Sequence, residues 1–169
     1  MGREVMPVMA RLYESAGADQ RADIADMWYG MGWESPEAKR ALLTDVHTNN
    51  QRLRLAAQWA LGRVSSDDDV VEILLGNMQN DGNPLFRDKA ACALAYDQIH
   101  LSPRQKTRLY EGLIYALNDS KPQVRQIALQ ALGILTGQNK GFDPNGSPEA
   151  RQKAVDQWKK WLNDFRANQ

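Results

Sequence analysis

The sequence predicts an all-α solenoid of about four helical hairpins, closed by a C-terminal capping helix. The first observation is a repeated twelve-residue segment, which occurs as QRLRLAAQWALG at 51–62, PLFRDKAACALA at 84–95 and PQVRQIALQALG at 122–133, with a weaker copy at 18–29. The second is the spacing of the arginine in successive copies, which is 33, 33 and 38 residues. A period of about 20–50 residues is typical of stacked repeats. The third is that no segment shows the sustained apolar–polar alternation of a strand.

A segment that predicts a first helix precedes the arginine of each copy. Its inward positions are spaced four and then three residues apart, which places them on one helical face. The four sets are Val5, Met9 and Leu12; Ala38, Leu42 and Asp45; Val71, Leu75 and Met78; and Leu109, Leu113 and Ala116. We expect these faces to point inward, with Asp45 as a polar exception that makes the second copy imperfect.

The second helix of each unit carries small residues where a lone amphipathic helix would carry leucine. The three clear copies have alanine three and six residues after the arginine: Ala57 and Ala60, Ala90 and Ala93, Ala128 and Ala131. The weaker copy puts Ile24, Met27 and Trp28 in its inward positions. Alanine lets two helix pairs approach closely, whereas leucine would overpack the contact. We therefore predict a continuous buried seam between neighbouring hairpins.

The helix boundaries are marked by serine followed by proline at Ser35, Ser102 and Ser147. Serine at the N-cap accepts an unpaired backbone N–H, and proline at the first helical position has none to leave unpaired. The glycine- and asparagine-rich segment 136–146 predicts a loop before the last helix. We predict a single domain over 1–169, with repeats at about 3–33, 36–65, 68–100 and 103–136 and a cap at 147–166.

A family resemblance follows from the segment LNDSKPQVRQIALQALGIL, residues 117–135. It is similar to the HEAT repeat consensus of Leu, Asp, a proline turn, Val-Arg, spaced alanines and Leu-Gly. The segment 136–161 resembles a C-terminal segment found on many bacterial proteins of the PBS lyase HEAT-like group. The resemblance covers residues 36–165 well and 3–33 weakly. It implies a right-handed α-solenoid of the armadillo-like helical class, because that is the fold of the family.

An ion ladder between repeats is a further implication of the resemblance. In HEAT proteins the aspartate of the turn and the arginine that follows form this ladder. The candidates here are Asp81 with Arg87 and Asp119 with Arg125. The first two repeats have Ser15 and Thr48 in place of the aspartate. The ladder is therefore expected in the later repeats and not at the N-terminal end.

The composition narrows the class of partner. The chain has 21 basic and 21 acidic residues and a formal net charge of zero, whereas a nucleic-acid or anionic-membrane binder is usually basic. We expect no nucleic-acid partner. The single cysteine, Cys92, favours a reducing compartment, and no stretch reaches the roughly 20 apolar residues of a membrane span. These features favour a cytoplasmic protein without membrane insertion, either a monomer or part of a longer chain.

Catalytic and metal-binding motifs do not emerge from the sequence. Its two histidines, His47 and His100, are 53 residues apart, and neither belongs to an HExxH motif or a zinc-type Cys–His pair. No glycine-rich nucleotide loop is present. The segment 142–146, FDPNG, begins like a calcium loop but lacks the closing glutamate, so we interpret it as a turn. We expect no catalytic residue, metal or cofactor.

The binding surface is expected on the second helices, which line the concave face of a HEAT solenoid. Positions five and nine residues after each arginine lie off the packing stripe, and they predict partner contacts at Trp59, Arg63, Tyr96, Gln130 and Ile134, with Cys92 beside them. Aromatic and arginine side chains are enriched among interface anchors. We predict a non-enzymatic scaffold or adaptor for a protein or peptide. The alternative is a chromophore-handling protein similar to the phycobilin lyases of the HEAT-like class.

Overall fold

The computed structural model describes residue 2, residues 4–97 and residues 101–168, without the side chain of Asp97. His100 lies outside the described residues. All regular structure in the described part is helical, and it contains no strand. The helices are α1 (Val5–Ser15), α2 (Ala18–Met31), α3 (Pro36–Leu43), α4 (Gln51–Val64), α5 (Asp68–Asn80), α6 (Pro84–Cys92), α7 (Pro103–Ala116), α8 (Pro122–Thr136) and α9 (Pro148–Ala167).

The helices pack as successive hairpins, so that the second helices form one layer. In that layer α2 packs against α4, α4 against α6, and α6 against α8. The first helices lie on the other side, where α1 packs against α3 and α5 against α7. Neither helix of a hairpin can bury its apolar stripe alone, which is why the hairpins stack. The prediction of an all-α solenoid is confirmed.

The seam between hairpins consists of small residues, as the sequence predicted. Ala57, Ala90 and Ala128 are all fully buried. One close approach is at Gly62 of α4, where an added Cβ would lie 3.0 Å from the Cβ of Ala93 and 3.1 Å from its carbonyl oxygen. A side chain at position 62 would therefore push the two helices apart.

The predicted helix starts are confirmed at the three serines. The Oγ atoms of Ser35, Ser102 and Ser147 each accept a hydrogen bond from the backbone N–H three residues later, at 3.1, 3.3 and 3.2 Å. Proline follows each of them at the first helical position. These bonds satisfy backbone donors that would otherwise have no partner at a helix N-terminus.

Helix α6 does not end as an α-helix. It continues as a π-helical turn over Ala93–Asp97. The sequence pattern predicted a regular helix here, because spacing alone cannot distinguish a single wide turn. Leu94 within this turn is fully buried, while Tyr96 is exposed. Such π turns inside longer helices occur frequently at functional sites.

The last helix closes the C-terminal end of the solenoid. Val155 and Trp158 of α9 are fully buried, and α9 packs against α7. The ring of Tyr110 on α7 meets the rings of Trp161 and Phe165 edge-on, with centroids 5.0 and 5.2 Å apart. The apolar face of α9 therefore covers the last repeat. Among the described residues, no helix is long and apolar enough to cross a membrane.

The predicted burial of two residues in the first repeat is wrong. Leu12 and Met27 were predicted to point inward, but they are 57% and 50% exposed. The equivalent positions in later repeats are buried against the hairpin that precedes them, and the described part has no hairpin before α1. Spacing thus assigned both residues to the face that later repeats use for stacking, and no described element covers that face here.

Candidate functional site

A groove between α6 and α8 brings together three of the five predicted partner-binding residues: Tyr96, Gln130 and Ile134. Its volume is about 180 Å³. We call it the α6–α8 groove, and it is lined by Asp88, Ala91, Cys92, Ala95, Tyr96, Ile127, Gln130, Ala131 and Ile134.

The α6–α8 groove has a floor of small residues and a rim of larger ones. Ala91, Ala95 and Ala131 are buried at its base. Tyr96 and Ile134 are 56% and 42% exposed, although both carry large apolar surfaces. The short side chains of the seam thus leave room between the two helices, and the groove can accept an apolar side chain.

The other two predicted residues lie one repeat upstream in a separate cluster. The Trp59 ring meets the Tyr29 ring edge-on, with centroids 5.1 Å apart, and the Lys89 Nζ lies 3.1 Å from the Trp59 centroid. The Arg63 guanidinium carbon lies 5.6 Å from the Tyr29 centroid. We call these four residues the Trp59 cluster. Its cation–π contacts hold a half-buried indole between α2 and α6.

The two sites are neighbours because α6 contributes to both. Lys89 of the Trp59 cluster is three residues before Cys92, and residues three apart on a helix are adjacent on its surface. Asp88, on the groove wall, precedes Lys89 directly. Sequence reasoning missed Tyr29, Asp88 and Lys89. The repeat position of Tyr29 could have indicated this contact. Tyr29 stands eight residues after Arg21, as Gly62 stands eight residues after Arg54, and this position faces the next repeat.

The ion ladder joins the arginines of the first two repeats, Arg21 and Arg54, to the repeat that follows each of them, so it is present at the N-terminal end. Arg21 Nη1 lies 3.0 Å from Asp45 Oδ2, and Tyr13 Oη donates a hydrogen bond to the same carboxylate at 2.8 Å. Arg54 forms the equivalent ion pair with Asp81. Asp45, which the sequence suggested was an imperfection, is therefore the buried acceptor of the first rung. The expectation that the ladder would be missing from this end is wrong.

The predicted ion pair between Asp81 and Arg87 is also wrong, because each residue has a different partner. The carboxylate of Asp81 pairs with Arg54, from the preceding repeat. Arg87 instead donates from Nη2 to the carbonyl oxygen of Gln79 at 2.5 Å. The prediction failed because it paired residues within one repeat, whereas the carboxylate of Asp81 is taken by the arginine of the preceding repeat.

Arg125 meets Asp119 through the backbone and not through its carboxylate. Its Nη1 donates to the carbonyl oxygens of Asp119 and Ser120 at 2.8 and 3.0 Å. Its Nε and Nη2 donate to the carbonyl oxygen of Pro144, in the loop before α9, at 2.8 and 2.6 Å. The predicted ion pair is corrected to a set of bonds to neutral acceptors. The loop that directly follows α8 supplies the acceptor at Pro144.

Burial governs the protonation of the two best-packed groups in this network. It raises the pKa of the Tyr13 phenol, and the hydrogen bond to Asp45 raises that pKa further. It lowers the pKa of the Arg125 guanidinium, with a further contribution from the nearby positive charge of Arg151. The Tyr13 phenol therefore stays protonated at neutral pH, as its hydrogen bond to Asp45 requires.

The described residues contain no group of three or more His, Cys, Asp or Glu side chains that could hold a metal ion. The thiol of Cys92 lies on the wall of the α6–α8 groove and is partly buried. The expectations of no catalytic residue and no cofactor remain predictions.

Comparison with known families gives one match. The HEAT repeat model matches residues 109–138, which comprise the second half of α7 and the whole of α8. This is the segment whose residues resembled the HEAT consensus most closely. No curated protein matches the chain.

Proposed function

We propose that this chain, a HEAT-repeat protein, is a non-enzymatic scaffold or adaptor that binds a protein segment along its layer of second helices. HEAT repeats generally mediate contacts between proteins. We further propose that residues 1–169 act as one domain, with the layer of second helices as its concave face.

The α6–α8 groove is the observation that carries this proposal. Exposed apolar side chains that border a hollow are typical of interaction sites. Tyr96 and Ile134 are such side chains, and the groove between them has an apolar floor of alanines. Tyrosine supplies a large, rigid contact area with a polar tip. An apolar side chain of a partner, inserted between Tyr96 and Ile134, would be held by both.

The Trp59 cluster supports a longer binding track. A peptide that follows the second-helix layer from the groove would next meet Lys89 and then Trp59. Gln130 on the opposite wall is exposed and offers both a donor and an acceptor to a peptide backbone. The partner we infer is therefore an extended segment with an apolar anchor, because the track crosses α6 from one hollow to the next.

Selection with a random dodecapeptide library displayed on phage tests this function. Peptides that bind the immobilised chain are synthesised, and their affinities are compared between the wild type and a Tyr96→Ala/Ile134→Ala double variant. We expect the double variant to weaken binding at least about tenfold, since it removes both sides of the apolar clamp. A Trp59→Ala/Tyr96→Ala variant, compared with Tyr96→Ala alone, tests whether the track extends upstream.

The matched control is Tyr115→Ala. Tyr115 is 76% exposed and borders a different hollow, between α5 and α7. Its replacement should leave the affinity unchanged. Binding that is insensitive to the groove variant, or that is lost in the control, would contradict the proposal. Circular dichroism of each variant establishes that it remains helical.

The chromophore-handling alternative has its own test. Co-expression with a source of bilin should give a coloured protein if the chain handles a tetrapyrrole, and a colourless one if it does not.

A further inference from the structure

The α6–α8 groove has a charge at one end and an apolar pair at the other. Of the nine described residues that line it, Asp88 is the one that carries a charge, and its side chain is exposed. Asp88 stands eight residues before Tyr96 on the same helix. At the helical rise of about 1.5 Å per residue, the two positions are about 12 Å apart. The groove therefore runs from a carboxylate to the clamp formed by Tyr96 and Ile134.

The described part of the chain gives the Asp88 carboxylate no ion-pair partner. The ion pairs between described residues all involve other carboxylates. Residues three and four positions apart are neighbours on a helix surface. At those distances from Asp88, the helix has four residues without a positive charge: Pro84, Leu85, Ala91 and Cys92.

The cations closest to Asp88 in the sequence and across the groove have other contacts. Lys89 follows Asp88 directly, but its Nζ lies 3.1 Å from the centroid of the Trp59 ring. Arg125 is the one charged residue of α8, and it is buried and bonded to the loop before α9. At the repeat position equivalent to Asp88, α8 exposes the neutral Gln126. The described walls of the groove thus supply no cation for this carboxylate.

We infer that the α6–α8 groove selects a segment with a lysine or arginine close to its apolar anchor, and that Asp88 recognises this basic residue. The inference rests on the proposed function, because it requires an apolar side chain to enter between Tyr96 and Ile134. An extended peptide advances about 3.3 Å per residue, so a residue three or four positions from the anchor reaches about 12 Å along the groove. The basic residue therefore belongs three or four positions from the anchor.

Asp88 determines specificity, whereas the apolar clamp supplies most of the affinity. A lysine or arginine at this end would donate a charge-assisted hydrogen bond to the carboxylate, and such bonds are stronger than neutral ones. An acidic residue would instead meet a like charge, which disfavours the wrong partner. Charged groups at the edge of an interface act mainly on specificity and on the rate of association. A change at Asp88 should thus alter which peptides bind more than how tightly the best of them bind.

Parallel selections of a random dodecapeptide phage library on the wild type and on Asp88→Lys test the inference. The peptides considered are those whose binding is weakened by Tyr96→Ala/Ile134→Ala. We expect those from the wild type to carry Lys or Arg three or four residues from an apolar residue, and those from Asp88→Lys to carry Asp or Glu there.

One peptide selected on the wild type is then synthesised with Lys and with Glu at that position. Fluorescence anisotropy should show that the wild type prefers the Lys form by at least about fivefold, and that Asp88→Lys prefers the Glu form. Both preferences should shrink in about 1 M NaCl, because salt screens exposed charges. A purely structural role of Asp88 would not reverse the preference.

The matched control is Asp164→Lys, which makes the same change of charge at an exposed residue of α9 that does not line the groove. It should keep the wild-type preference. The inference is overturned, and the proposed function stands, if groove-dependent peptides lack the basic residue, if Asp88→Lys leaves the preference unreversed, or if Asp164→Lys reverses it too. If no peptide depends on Tyr96 and Ile134, the proposed function fails and the inference fails with it. Circular dichroism establishes that each variant remains helical.

Discussion

The arginine at one fixed repeat position has different partners in the middle and at the end of the solenoid. In the second repeat, Arg54 pairs with the carboxylate of Asp81, which belongs to the third repeat. In the fourth repeat, Arg125 donates to carbonyl oxygens of its own turn and of Pro144 in the cap loop. Arg54 and Arg125 are therefore both used to attach the element that follows, whereas Arg87 bonds within its own repeat. The third repeat offers Arg54 a charge, and the cap loop offers Arg125 a backbone carbonyl group.

The contrast teaches that the electrostatic character of a junction depends on the following element and not on the arginine itself. A buried ion pair leaves an uncompensated charge when one partner is removed. A set of neutral acceptors leaves only unpaired carbonyl groups, which cost less. The two junctions should therefore respond differently to similar substitutions.

The largest effect is expected from Arg54→Leu. The side chains of Arg54 and Asp81 are both about nine-tenths buried, so that the carboxylate is stranded when the guanidinium is lost. We expect the free energy of unfolding to fall by about 3–5 kcal/mol, as measured by urea denaturation. The double variant Arg54→Leu/Asp81→Asn should recover most of this loss, because asparagine is neutral and keeps the oxygen that accepts from the Asn83 N–H. If Arg54→Leu/Asp81→Asn were as unstable as Arg54→Leu, the loss could not be attributed to the unpaired charge of Asp81.

The substitution Arg125→Leu should have a smaller effect. It leaves the carbonyl oxygens of Asp119 and Pro144 without this donor, and we expect a loss of about 1–3 kcal/mol in the same urea experiment. The difference between the two junctions would disappear if Arg125→Leu proved as costly as Arg54→Leu.

Two glycines at equivalent positions extend the comparison to packing. An added Cβ at Gly62 would lie 3.0 Å from the Cβ of Ala93 in the next repeat, whereas one added at Gly133 would have no atom nearer than 3.9 Å. We expect Gly62→Ala to lower the free energy of unfolding by about 1–2 kcal/mol, because the added methyl group overpacks the contact. Gly133→Ala should raise it by about 0.5–1 kcal/mol through helix propensity. Equal shifts in calorimetry would show that α4 and α6 can separate without cost.

The smallest effect concerns the exposed charges that link the second and third repeats. The hydrogen bond from Lys39 Nζ to Asp67 Oδ2, at 2.7 Å, lowers the pKa of that carboxyl. A lowered pKa contributes stability above the ordinary value of about 4 and loses it as the pH falls through the folded-state value. The stability difference between the wild type and Asp67→Asn should therefore be small at neutral pH and vanish in acid. A difference that grew on acidification would contradict the assignment.

The sequence predicted most of the fold because the repeats are defined by the spacing of apolar and small residues along each helix. The alanines of the seam and the serine caps follow from the helical period and from backbone hydrogen bonding, and both are found where expected. Leu12 and Met27 show the limit of this reasoning. Spacing assigns a residue to a helix face, but burial depends on whether another hairpin covers that face.

The candidate site was predicted in part for the same reason. The nine-residue offset from the arginine identified Tyr96 and Ile134, which the stack brings into one groove. The contacts of Trp59 with Tyr29 and Lys89 join three helices, and no spacing along one helix contains that information. The ladder was misassigned because its bonds cross from one repeat to the next.

The wide turn at Ala93–Asp97 accommodates about one residue more than an ordinary α-helical turn. Deleting a residue from an α-helix rotates the side chains that follow by about 100° around the axis. Deleting one residue from the wide turn would instead restore an α-helix with little net rotation, because the turn already holds the extra residue. This is therefore the point of the helix at which the α6–α8 groove should best tolerate a one-residue deletion.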